Sequence, residues 1–269
     1  MSVRRQWVQR GDSWRGVIIA AVVGVGALVG IWFTPNELST RTIAARVISL
    51  LATMALARRL VALPEPVRAV WVAIWLYQAI TVLADLLYDS VYVINGIPPI
   101  FSETDVMYLI TYICAFEAVR RLENHVVPVR DRRATIDVAT IGIAMIAIVL
   151  AFMALPRLFV PEGVDLGGLV AVAYPMLDFV IAMAMIRVLV IQRMKSPALA
   201  IVAVAFITFF VYDMAYAYFT FANDWTEYRL LEVLWTGALM LLTLAAYSPG
   251  ATSFAGLTVA DDETALSEV

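Results

Sequence analysis

Eight runs of roughly twenty mostly apolar residues dominate the chain, and each is as long as the ~30 Å hydrocarbon core of a bilayer requires of a helix. They cover 16–33, 43–63, 67–94, 103–121, 135–155, 167–192, 197–221 and 226–247. Turn-forming or charged segments separate them, among them Thr34-Pro35-Asn36, Pro64-Glu65-Pro66, Asn95-Gly96-Ile97-Pro98-Pro99 and Ser196-Pro197. Of the 269 residues, 62% are hydrophobic and 15% charged, too apolar for a soluble globule of this size. No run alternates with period two, so a β-barrel is not expected. The fold class that follows is all-α, a polytopic membrane protein with eight transmembrane helices. A single cysteine, Cys114, excludes a disulfide scaffold. A net charge of −3 without a long basic stripe argues against nucleic acid as a partner.

Orientation follows from lysine and arginine. With an even number of spans, one side receives 15 of the 19 basic residues, and the other only Arg41, Arg46, Arg157 and Arg229. This predicts a multi-pass protein of a bacterial inner (plasma) membrane with both termini cytoplasmic. The first run reads as an uncleaved signal anchor. An internal repeat is also expected. Arg59 and Arg187 stand 128 residues apart, as do Asp85 and Asp213, and Tyr88 and Tyr216. With one residue deleted, Asp105 matches Glu232 and Tyr108 matches Trp235. The predicted organisation is a basic N-terminus (1–15), a first four-span repeat (16–121), a basic loop (122–134), a second repeat (135–247) and a disordered acidic tail (248–269). Four spans per half make the two repeats parallel.

Ionisable residues inside spans are costly and default to functional candidates. The acids Asp85, Asp89, Asp105, Asp178, Asp213 and Glu232 gather towards the outer half, with Arg46 as the one buried cation at similar height. Asp178 is the deepest and follows the kink expected at Pro175. Arg46 is its expected partner, as a structural pair or as part of a ligand site. Plainer readings stand beside these. Ser102 with Asp105, and Asp224 with Glu227, fit capping boxes, and Asp85 and Asp213 are placed to reach outer headgroups. Tyr88, Tyr108, Tyr174, Tyr216 and Trp235 accompany the acids, as belt aromatics or as walls of an outward-opening cavity formed by spans three, four, six, seven and eight. Such a lining would suit a small cationic or amphipathic ligand. Other chemistry finds no residues. His125 stands alone, the only lysine (Lys195) lies at a span end where no retinal could be held, and no phosphate-binding or hydrolase motif occurs. Neither a cofactor nor an enzymatic activity is therefore expected. Glu117 is placed to pair with Arg120 or Arg121, and Gly26-x-x-x-Gly30 offers close helix approach, as in a homodimer.

Several of these segments together resemble a known family. Pro99, Thr104-Asp105-Val106-Met107-Tyr108 and Tyr112 are followed by Asp137 and by Ala173-Tyr174-Pro175-Met176-Leu177-Asp178. Asp213-x-x-Tyr216, Trp235 and Ala245-Ala246-Tyr247-Ser248-Pro249 complete the set. From about Pro98 to Pro249 the chain resembles the eight-span membrane module found ahead of diguanylate cyclase (GGDEF) and phosphodiesterase (EAL) domains in actinobacteria. No GGDEF-like or EAL-like segment follows Pro249. The resemblance implies sensing or membrane assembly, not cyclic-dinucleotide chemistry in these residues. The residues alone leave three classes open: a sensor module, a small secondary transporter, and an accessory subunit of a membrane complex. A polar path through both halves of the membrane would favour transport, and a sealed inner half sensing.

Overall fold

The computed structural model describes residues 14–34, 38–65, 67–93, 102–126, 136, 139–144, 147, 151, 166–191, 196–222 and 228–252. Among these no strand occurs. The helices are α1 (Trp14–Phe33), α2 (Leu38–Leu60), α3 (Val67–Tyr88), α4 (Glu103–Val126), α5 (Leu166–Ile191), α6 (Pro197–Ala222) and α7 (Tyr228–Tyr247), with a π turn (Asp89–Val93) continuing α3. Four stretches are long and apolar enough to cross a membrane: Val67–Val91, Leu169–Ile191, Pro197–Phe219 and Arg229–Tyr247. A shorter apolar helix runs Val17–Phe33. Most of the expected span 135–155 lies outside the described residues, although 139–144 are helical.

Local chemistry sets the helix ends. Before α4, the Ser102 backbone N–H donates to Asp105 Oδ2 at 2.7 Å, the predicted capping box. The second box, Asp224 with Glu227, lies outside the described residues. Before α6, Ser196 Oγ accepts from the Leu199 N–H at 3.4 Å, and Pro197 occupies the first helical position, where its missing N–H costs nothing. After α2, Arg68 Nη2 donates to the Leu63 carbonyl at 2.7 Å. The turn leaving α7 uses Gly250 at φ 87°, where a Cβ would stand 2.8 Å from Ser196 Oγ. The following residue accepts a 3.0 Å bond from Trp71 Nε1 through the Ala251 carbonyl, which fixes the exit of α7 under α3.

Each helix from α2 to α7 packs on the next, and α7 returns against α2, so that the six close a ring; α1 lies outside, against α7 and α2. Side-chain pairs give the directions. Arg46 meets Glu232 and Ala55 meets Tyr247, so α2 and α7 run parallel. Tyr174 meets Asp105 and Arg187 meets Glu123, so α4 and α5 run parallel. α6 is antiparallel to α7, since Tyr212 meets Trp235 while Ala198 meets Pro249. The ring interior is filled by Trp71, Tyr77, Phe206, Phe209, Leu239 and Leu242, all 3% exposed or less. Its outer surface carries exposed Leu51, Met54, Leu83, Ile113, Val190 and Val204. Chains that are apolar on both the inner and the outer face suit a lipid surround.

Within the chain, the glycine of α1 that closely approaches another helix is Gly24. A Cβ on Gly24 would stand 2.7 Å from Met240 Cε of α7, whereas Gly26 and Gly30 have nothing within 4 Å.

Candidate functional site

One end of the ring carries a connected polar network. It begins at Arg46 on α2, whose side chain is 11% exposed. Its Nε donates to Asp89 Oδ2 at 2.6 Å, and its Nη1 lies 3.4 Å from Asp85 Oδ2 and 3.6 Å from Glu232 Oε2. Three acids from α3, its π turn and α7 thus converge on one guanidinium. The geometry suits a planar delocalised cation, which can face several carboxylates at once. Thr42, one turn earlier on α2, also reaches Glu232, at 3.5 Å. Asp85 is further satisfied by the Tyr108 hydroxyl at 2.6 Å and by Trp235 Nε1 at 2.7 Å. It is 2% exposed, so it is a member of the buried network and does not reach headgroups.

The second part of the network lies across the ring, on α4, α5 and α6. The Tyr174 hydroxyl donates to Asp105 Oδ1 at 2.6 Å, so Asp105 both caps α4 and ties it to α5. Tyr112 stacks on Tyr174 with centroids 6.2 Å apart, and its hydroxyl donates to Asp213 Oδ2 at 3.3 Å. Asp178 is fully buried and faces Asp213 and Tyr112. Neither of its oxygens completes a hydrogen bond among the described residues.

The expected pairing of Arg46 with Asp178 is therefore corrected: Arg46 is matched by Asp85, Asp89 and Glu232. The two residues stand at comparable height, but height does not fix azimuth. The ring places α2 between α7 and α3, and α5 between α4 and α6, so Arg46 and Asp178 face the bundle from opposite sides.

Aromatic rings join the two parts. Trp235 meets Tyr108 edge-on at 6.1 Å, Phe209 at 5.2 Å and Tyr212 at 4.6 Å, and Tyr216 stacks on Tyr212 at 6.1 Å. Tyr88 is half-buried at the end of α3. The candidate residues thus gather towards the same end of the bundle, with Asp178 the deepest, midway along α5. Sequence reasoning did not single out Thr42 or Gln78. Gln78 is fully buried and donates to Thr243 Oγ1 at 3.2 Å, and Thr243 Oγ1 in turn donates to the Ala52 carbonyl at 3.0 Å. A lone amide in an apolar run was the available signal.

Beyond this level the interior is apolar, with Leu56, Val119, Leu122, Met185, Val188 and Leu242 packed together. Charge reappears only at the opposite end. There Arg59 Nε donates to the Ala246 carbonyl at 2.9 Å and Arg187 pairs with Glu123 at 2.9 Å. Glu117 binds Arg120 at 2.6 Å and Arg121 at 2.5 Å, the predicted pairing. No family model, curated protein or solved structure matches the chain.

Proposed function

We propose that the chain is an eight-span, non-enzymatic sensor module of a bacterial plasma membrane, with both ends cytoplasmic and the Arg46–Asp85 network facing outward. The observation that carries this reading is the one-sided distribution of polar groups. Buried carboxylates crowd the Asp85 end, while the half bearing Leu56, Leu122 and Val188 is closed by apolar packing. A transporter needs groups that can hand a solute across both halves. A sensor needs only a site on one side and a packing interface that the site can bias.

The parallel run of α4 and α5 supports the eight-span count. The two-repeat reading draws support from the ring. Rotating α2, α3 and α4 onto α5, α6 and α7 preserves the order of neighbours around the ring. Arg46 and Tyr174 are 128 residues apart, and each reaches the acid that the repeat assigns to it, Glu232 and Asp105 respectively. The Arg46 cluster thus joins the first half to the second through α7, and the Tyr174–Asp105 bond does so through α5. A ligand that exchanges contacts at either junction would shift one half against the other.

The site's aromatic and acidic lining fits a small organic cation, and the side chains of Arg46 and Asp89 keep 11% and 13% of their surface exposed. Purified protein should show a saturable rise in thermal stability with choline or spermidine, lost in Asp89→Asn and Trp235→Phe. In proteoliposomes the same cations should not accumulate. Accumulation against a gradient would replace this reading with transport; no thermal response to either cation would remove the cationic-ligand assignment.

A further inference from the structure

We propose that Asp178 and Asp213 form a proton-binding carboxyl pair, whose ligand is a single proton taken from the aqueous phase at the Asp85 end of the bundle. This goes beyond the sensor reading and does not depend on it, since a bound proton is compatible with either sensing or transport. The argument starts from an imbalance. Asp178 on α5 is 0% exposed and Asp213 on α6 is 6% exposed, and they face each other inside an apolar ring. Among the described residues no cation forms an ion pair with either one. Arg46 is already matched by three acids on the far side of the ring. The groups that face the pair are neutral or acidic: Tyr112 from α4 and Tyr77 from α3.

Two adjacent buried carboxylates without a cation repel each other and lose their hydration, so the low-energy state shares one proton between them. The hydrogen bonds assign it. Asp213 accepts from the Tyr112 hydroxyl at 3.3 Å, a bond that favours its ionised form over its neutral one. Both Asp178 oxygens lack a donor. A proton on one Asp178 oxygen makes that oxygen a donor to Asp213 and supplies a partner that the ionised form lacks. The step is pure acid–base chemistry: hydronium delivers H⁺ to one Asp178 oxygen and leaves water. A metal ion fits the site poorly. Six or more oxygen ligands are usual for hard cations, and among the described residues no cluster of three or more acidic, histidine or cysteine side chains is suited to hold one.

Infrared spectroscopy of the purified full-length protein at neutral pH tests this. The wild type should show the carbonyl stretch of a protonated carboxylic acid, and ¹³C-aspartate labelling should move it to lower frequency. The band should vanish in Asp178→Asn. In Asp213→Asn it should shift, because the acceptor becomes an amide. The isotope experiment uses unmodified protein, so it stands even if a variant fails to fold. Absence of an aspartate-derived band in the wild type would overturn the proposal. So would a band unchanged in both variants, or a sodium-dependent thermal stability abolished by Asp178→Asn, which would identify a metal cation as the occupant.

Discussion

Replacing Arg46 with glutamine isolates the energetics of the network. The substitution keeps a polar side chain but removes the charge that faces Asp85, Asp89 and Glu232, whose side chains are 3%, 13% and 3% exposed. Removing one partner of a buried ion pair costs about 3–5 kcal/mol, because the remaining charge is left uncompensated. Here three carboxylates lose their common cation. Asp85 keeps its bonds from Tyr108 and Trp235, which holds the loss within that range. At about 2–4 °C per kcal/mol, a size-appropriate conversion, the melting temperature should fall by on the order of 10 °C. The assay is thermal unfolding of the purified protein in one detergent, within double-mutant cycles. Arg46→Gln with Asp89→Asn should be less damaging than the sum of the two by about 1 kcal/mol or more, since the pair is in direct 2.6 Å contact. Arg46→Gln with Asp178→Asn should be additive, because the two sit on opposite sides of the ring. Stronger coupling to Asp178 than to Asp89 would refute the assignment of partners.

Four further substitutions check other parts of the structure by the same measurement. Tyr108→Phe removes a 2.6 Å bond to the buried Asp85 carboxylate and should cost about 1.5–3 kcal/mol. Gly24→Leu should cost about 1–3 kcal/mol by overpacking against Met240, while Gly26→Leu, with nothing near it, should be close to neutral. Gly250→Ala forces a side chain into φ 87° against Ser196 and should cost about 2 kcal/mol.

What could be read from the sequence was rough position along the bundle. Charge placement grouped Asp85, Asp213 and Glu232 and set Asp178 deepest, and Asp178 lies midway along α5. Contacts between near neighbours in sequence were also legible. The Ser102–Asp105 cap and the Glu117 pairs with Arg120 and Arg121 depend only on helical spacing of three and four residues. Partners across helices were not legible, because periodicity says nothing about which helix a face meets. Arg46 was assigned to Asp178 on height alone, whereas its 2.6 Å partner is Asp89, one turn beyond Asp85 on the same helix face. Glycine spacing likewise did not show which face of α1 meets α7. Gly26 and Gly30 satisfy the motif, yet the side of α1 that meets α7 is set by Gly24 and Leu28. Gln78 was the readable residue left unread: a buried amide in an apolar helix must find a partner, and Thr243 supplies it.

A cysteine scan along α4 tests the central claim of a polar outer site above a sealed inner half. In a Cys114→Ala background, single cysteines from Asp105 to Glu123 would be challenged in intact cells with a membrane-impermeant thiol reagent. The account predicts labelling at Asp105 and Tyr108, which ends at the level of Tyr112, with Ala115, Ala118 and Leu122 unreactive in their 0% exposed positions. A continuous stripe of reactive positions on the inward face down to Leu122 would contradict it and mark a pathway through the membrane.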